Sequence, residues 1–251
     1  MVTTTPVQDA DLDFDNGSFD SAAFAASTLS SWQALASVID HTLLKPEATR
    51  SQVETLCDET IRYRFACAMV NPVWASTAVG KLSGTGIPVG VVIGFPLGAS
   101  LVSTLRQEAA ALTRLGAREL DMVIPIGLLK SGSHTAVHHA IRAAATVAHH
   151  NGAILKVILE TCLLTVEEKL RASEIAIHAG ADFLKTSTGF STGGATPADV
   201  ALLRGVAGAR SGVKASGGIR TLADVRTLLE AGANRIGASA SVSILRELGA
   251  E

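Results

Sequence analysis

Gly180-Ala181-Asp182-Phe183-Leu184-Lys185-Thr186-Ser187-Thr188-Gly189 is the stretch on which the fold turns. Gly180-Ala181 closes an amphipathic run over 165–178, because glycine supplies the left-handed residue that ends a helix. The short apolar run around Leu184 then reads as a buried strand, and Thr186 to Gly189 as the turn it feeds. The same punctuation recurs at Gly116-Ala117, Gly152-Ala153 and Gly232-Ala233. Strand-like segments lie at 37–44, 66–71, 89–95, 119–124, 154–160, 182–186, 212–215 and 235–238. Helical periodicity falls between them, for example at 103–115, 134–149, 196–207 and 222–231. Eight such units in 251 residues fit an α/β protein built as a single (β/α)8 barrel. A doubly wound open sheet is the competing reading.

Composition agrees. Hydrophobic residues make up 47% of the chain and aromatics 4%. The core is therefore aliphatic, as suits parallel strands covered by helices. A net charge of -2 gives no general attraction to nucleic acid or to an anionic membrane. Cys57, Cys67 and Cys162 are odd in number and widely spaced, which suggests neither a disulfide framework nor a zinc site. No run is long and apolar enough to span a membrane. The N-terminus lacks a basic-then-apolar leader pattern, so a cytoplasmic protein is expected.

Residues 1–30 differ from the rest. Asp9, Asp11, Asp13, Asp15 and Asp20 occur before the first Lys or Arg, Lys45. We expect a flexible acidic extension there, with a helix near 29–36, and the barrel domain over 31–251. The run from Asp11 to Gly17 resembles a calcium loop only loosely, since the acidic residue such a loop needs downstream is missing. His134 and His138 stand one helical turn apart, a spacing more often found on a solvated face than at a metal. Gly84, Gly86 and Gly90 form no dinucleotide fingerprint.

A barrel directs attention to the C-terminal ends of its strands. Asp121, Lys156, Lys185 and Lys214 fall on four consecutive strands. Charges inside a barrel need partners or a catalytic reason. Strand alternation puts Lys185 on one face with Phe183 and Ser187, and Leu184 with Thr186 on the other. Two ammonium groups about 5 Å apart at an effective dielectric of about 20 repel by roughly 3 kcal/mol. That favours a neutral amine able to attack a carbonyl. A single strand lysine could instead snorkel to the surface. The pair, followed by turn glycines, favours chemistry.

Ser216-Gly217-Gly218-Ile219-Arg220 follows the seventh strand and Gly237-Ala238-Ser239 the eighth. Barrels commonly bind phosphate at these two ends, through backbone N–H groups.

The chain resembles the class I 2-deoxyribose-5-phosphate aldolases over about 39–239. The likeness rests on Ile39-Asp40-His41-Thr42-Leu43-Leu44-Lys45-Pro46, Val92-Ile93-Gly94-Phe95-Pro96-Leu97-Gly98 and Glu119-Leu120-Asp121-Met122-Val123-Ile124. It continues through Leu155-Lys156-Val157-Ile158-Leu159-Glu160-Thr161, Leu184-Lys185-Thr186-Ser187-Thr188-Gly189-Phe190 and Val213-Lys214-Ala215-Ser216-Gly217-Gly218-Ile219-Arg220-Thr221. It implies a reversible aldol reaction on 2-deoxy-D-ribose 5-phosphate, with no metal and no cofactor. Lys185 takes the place of the Schiff-base lysine, Lys214 of the lysine that activates it, and Asp121 of the carboxylate in the proton relay. Lys156 is expected to hold Asp121 ionised and oriented. Asp40, Cys67 and Thr188 are placed with Lys156 on the substrate. For Cys67 a small buried apolar role is the equal alternative. The phosphate is expected against the backbone of Gly189, Gly217, Gly218 and Gly237, with Ser239 donating its hydroxyl.

Three departures stand out. Phe190 occupies a position where some members have lysine, and Ala240 one where some have serine. Some members also end in a tyrosine that reaches the active site, whereas the single tyrosine here is Tyr63. A different phosphate-binding barrel enzyme and a sugar-phosphate binder without activity are the alternative functions. Partners are expected to be small sugar phosphates and aldehydes, and the assembly a homodimer, as is common among barrels.

Overall fold

A computed structural model describes residues 18–251. Eight parallel strands close into a barrel in chain order. They are β1 (Ile39–Leu43), β2 (Cys67–Val70), β3 (Val89–Ile93), β4 (Glu119–Val123), β5 (Ile154–Ile158), β6 (Phe183–Lys185), β7 (Gly212–Ser216) and β8 (Arg235–Ala238). The helices are α1 (Ser21–Thr28), α2 (Trp32–Ala36), α3 (Arg50–Tyr63), α4 (Ala75–Leu82), α5 (Val102–Leu115), α6 (Ile126–Lys130), α7 (His134–His150), α8 (Val166–His178), α9 (Pro197–Ala207), α10 (Leu222–Glu230) and α11 (Ser241–Glu247). The open-sheet alternative is thereby excluded. No helix among the described residues is long and apolar enough to cross a membrane.

Local signals explain the element ends. Thr49, Thr165 and Thr221 each accept a backbone N–H at a helix start, and the third helical residue reaches back, closing capping boxes on α3, α8 and α10. Gly116 ends α5 in the left-handed conformation.

The outward faces of the strands pack on the helices. Leu120, Leu155, Val157, Leu184, Val213 and Ile236 are buried in this main core. The interior is divided. Leu44, Cys67, Met69 and Val92 form a small apolar cluster on the β1–β3 side. The opposite side is filled by buried charge.

The expected extension is corrected in part. α1 lies inside the span assigned to a flexible arm, and it is a packed helix. Asp20 caps it, accepting from Ala23 N at 2.9 Å. Ala25 is buried and Phe24 packs against the core. The Arg204 guanidinium sits 4.0 Å from the Phe19 ring centroid, and Phe19 packs on Phe24. The apolar Ala-Ala-Phe-Ala-Ala run outweighs its acidic surroundings. The Asp11 to Gly17 loop lies outside the described residues.

Candidate active site

Strand register builds the site. Asp121 lies opposite Lys156, and Lys185 opposite Lys214. All four side chains point inward. Lys156, Asp121 and Lys214 are fully buried and Lys185 nearly so. Lys185 Nζ and Lys214 Nζ each donate to the same oxygen, Asp121 Oδ2, at 2.7 Å. Lys156 Nζ donates to the other oxygen, Oδ1, at 2.9 Å.

A further tier lies beneath. Asp40 receives Lys214 through a short hydrogen bond on Oδ2 and Arg235 Nε at 2.5 Å on Oδ1. Arg235 Nη2 reaches both oxygens of Glu119 at 2.8 and 3.0 Å. Lys156 also pairs with Glu119, and lies 3.4 Å from Asp40 Oδ2. Glu119 and Arg235 were not singled out in the sequence. The signal was there: each stands two residues before a residue already placed inside, Asp121 and Gly237.

Electrostatics differ sharply among these groups. Burial is the largest influence on Lys185. Asp121 opposes it and Lys214 assists it, and the amine is lowered to about 8. Desolvation therefore exceeds the lysine–lysine repulsion on which the sequence argument rested. Burial also disfavours charge on Lys156, yet Asp121, Asp40 and Glu119 overcome it and hold the ammonium well above its usual range. Asp121 and Asp40 are likewise opposed by burial, and the surrounding cations hold both carboxyls below the carboxylate range.

A cavity of about 330 Å³ opens above this floor. Lys185 and Lys214 reach it from below, and Thr188, Gly189, Gly217, Gly218, Gly237 and Ser239 line it. The expected phosphate residues thus line the same cavity as the two lysines. Gly217 has φ 87°, and Ala195 N donates to its carbonyl at 3.0 Å, so the loops after β6 and β7 lock together. A Cβ on Gly237 would stand 2.9 Å from Lys214 Cε. The bare backbone there gives the lysine its channel.

The other expected substrate contacts are not on the wall. Asp40, Cys67 and Lys156 are completely buried below the cavity. Cys67 belongs to the small apolar cluster, and burial, then Glu119 and Asp40, push its thiol well above the usual range. Phe190 does line the mouth, with its ring edge-on to Phe95 at 5.3 Å. Ser216, from the expected phosphate-binding turn, lines it as well, and so does Lys45, which was not assigned to the site. Glu160 was noted only as a strand end. It is buried at φ 57° and accepts both the Thr188 N–H and, through a short bond, the Thr188 hydroxyl.

Among the described residues, Asp40, Cys67 and Glu119 form the one cluster of donor atoms close enough to share a metal ion. Lys156 and Arg235 already neutralise its carboxylates, and its thiol stays protonated, so the donor set does not suit a cation. Of the histidine pair one turn apart on α7, His134 is exposed and His138 half-buried.

The profile of the DeoC/LacD family aldolase matches residues 34–248. Deoxyribose-phosphate aldolase of Geobacillus sp. (strain WCH70) is 52% identical over 211 residues, covering 84% of this chain and 94% of the relative. Deoxyribose-phosphate aldolase of Bacillus subtilis (strain 168) is 52% identical over 212 residues, covering 84% and 95%. The solved deoxyribose phosphate aldolase of Aeropyrum pernix, described as a unique tetramer, superposes with a TM-score of 0.85 at 37% identity, covering 91% of this chain and 96% of that one. The chain belongs to the DeoC/LacD aldolase family.

Proposed function

We propose that this protein is a Schiff-base aldolase that reversibly cleaves 2-deoxy-D-ribose 5-phosphate to acetaldehyde and D-glyceraldehyde 3-phosphate. The observation that carries the reading is a buried lysine lowered to about 8 at the floor of a glycine-walled cavity, sharing one carboxylate oxygen with a second lysine. Such a pair suits imine chemistry better than isomerisation.

The amine of Lys185 attacks C1 of the open-chain sugar, and loss of water leaves a protonated imine. A proton leaves the C3 hydroxyl, the C2–C3 bond breaks, and its electrons pass into an enamine. C3 becomes the aldehyde carbon of D-glyceraldehyde 3-phosphate. The enamine carbon then takes a proton, and water hydrolyses the new imine to release acetaldehyde and restore the amine. Lys214, which lines the same cavity, exchanges protons with the C1 and C3 oxygens. Asp121 stays ionised, passes protons between the two amines and steadies the imine cation. Lys156 holds Asp121 from its other oxygen. The phosphate lies against Gly189, Gly217, Gly218, Gly237 and Ser239. Thr188, held by Glu160, orients the sugar. Asp40 and Cys67 act from beneath the cavity rather than on its wall. No step uses a metal. The enzyme works in the cytoplasm on small sugar phosphates and aldehydes, as a homodimer.

The test is product analysis. Incubation with 2-deoxy-D-ribose 5-phosphate should give acetaldehyde and glyceraldehyde 3-phosphate in equal amounts, with and without EDTA. Rearranged sugar phosphate in place of fragments would identify an isomerase, and binding without turnover a sugar-phosphate binder. Loss of activity in EDTA would indicate the metal-dependent route.

A further inference from the structure

The charges inside the barrel do not balance. Lys156 on β5, Lys185 on β6, Lys214 on β7 and Arg235 on β8 are four cations. Asp40 on β1 with Glu119 and Asp121 on β4 are three carboxylates. Among the described residues no other charged group forms an ion pair with these seven. β2 contributes Cys67, held as a thiol, and β3 contributes Gly90 and Val92. Glu160 bonds to Thr188 and pairs with none of the four cations, His41 on β1 turns away to Glu59, and Lys45 is exposed at the rim. With every group ionised, one positive charge is in excess where a net charge is poorly solvated.

Geometry selects the group that yields. Arg235 cannot lose a proton. Lys156 touches all three carboxylates and Lys214 two. Lys185 touches Asp121 alone. It has the weakest hold on its proton.

We propose that Arg235 is a positioning residue for the aldol chemistry: by pairing with Asp40 and Glu119 it makes the buried cations outnumber the carboxylates by one, and Lys185 is the group that becomes the free amine. Arg235 does this without lining the cavity, and its side chain is 14% exposed. The contrast between Lys185, lowered to about 8, and Lys156, raised by its three carboxylates, follows the same count. The inference rests on Lys185 being the nucleophile.

The experiment measures how fast acetaldehyde and cyanoborohydride alkylate Lys185 as a function of pH, by peptide mass, in the full chain and its variants, with melting temperatures recorded alongside. R235M leaves three cations against three carboxylates. Its midpoint should move roughly one unit or more to alkaline pH, slowing alkylation about tenfold at pH 7. R235K keeps the count and should hold the midpoint. The double variant R235M/E119Q has three cations against two carboxylates, restores the excess of one, and should return the midpoint to that of the parent. An unmoved midpoint in R235M, or a double variant that follows R235M, overturns the proposal. Should R235M fail to fold, E119Q decides: an acid shift supports the count, and an alkaline or absent shift overturns it. Failure of the parent to alkylate at Lys185 would instead defeat the underlying functional reading.

Discussion

Lys185 lies directly opposite Lys214 across β6 and β7, and both ammonium groups end on a single oxygen of Asp121. Asp121 draws the two cations together while burial and their mutual repulsion disfavour charge on Lys185.

Two substitutions should therefore move the pH profile of kcat/KM in opposite directions. In the parent, activity should rise with pH through about 8, as Lys185 loses its proton. Lys214→Leu removes a repelling charge and leaves Asp121 to hold the proton. Its acid limb should shift to alkaline pH, with turnover at neutral pH at least about a hundredfold lower and partly regained above pH 9. Asp121→Asn removes the attraction, so its limb should shift to acid pH while turnover stays low everywhere, for want of the bridge between the amines. Shifts of the same sign would contradict the electrostatic assignment.

Acid should destabilise the fold through the same groups. Asp40 and Asp121 have folded-state values below the ordinary 3.8. In that window the unfolded chain binds more protons, so their contribution is present above about pH 4 and is lost as pH falls further. His41 is buried and lowered from 6.5 despite Glu59, so it adds a loss of stability as pH falls through 6.5. Urea midpoints between pH 7 and pH 3 should fall in these two stages. Flat midpoints across that range would contradict the charge placements.

α1 should matter to stability. Phe24→Ala removes a half-buried ring from the α1 contact and should cost about 2 kcal/mol, with little change in kcat. Thermal melts would register this as a lower Tm. An unchanged Tm would mean that α1 contributes nothing to the barrel.

The phosphate should be read by Ser239 more than by any other side-chain hydroxyl. A charge-assisted hydrogen bond is worth roughly 1.5–3 kcal/mol. Ser239→Ala should therefore lower kcat/KM for deoxyribose 5-phosphate by roughly tenfold to a hundredfold, and hardly alter cleavage of unphosphorylated deoxyribose. Equal losses on both substrates would show that Ser239 supports the β8 turn instead.

The barrel and its lysines were legible because an ionisable residue in a short apolar strand is anomalous wherever it occurs, and Lys185 and Lys214 repeat the anomaly on adjacent strands. Alternation gave the face of each side chain but not its depth. Asp40, Cys67 and Lys156 were thus expected at the substrate, whereas they are buried and do not line the cavity. Glu119 and Arg235 begin their strands, where charge is ordinary. Closure of the barrel, which sets β8 beside β1, is what brings Arg235 to Asp40. Glu160 escaped because its importance depends on Thr188, a loop residue distant in sequence. α1 was obscured by the aspartates around it.

The most direct measurement is reductive trapping. The purified protein is incubated with acetaldehyde and cyanoborohydride, digested, and mapped by mass spectrometry while residual activity is followed. The account requires one added ethyl group on Lys185, appearing in step with complete loss of aldol cleavage. Label on Lys214 instead, or full inactivation with Lys185 unmodified, would contradict it.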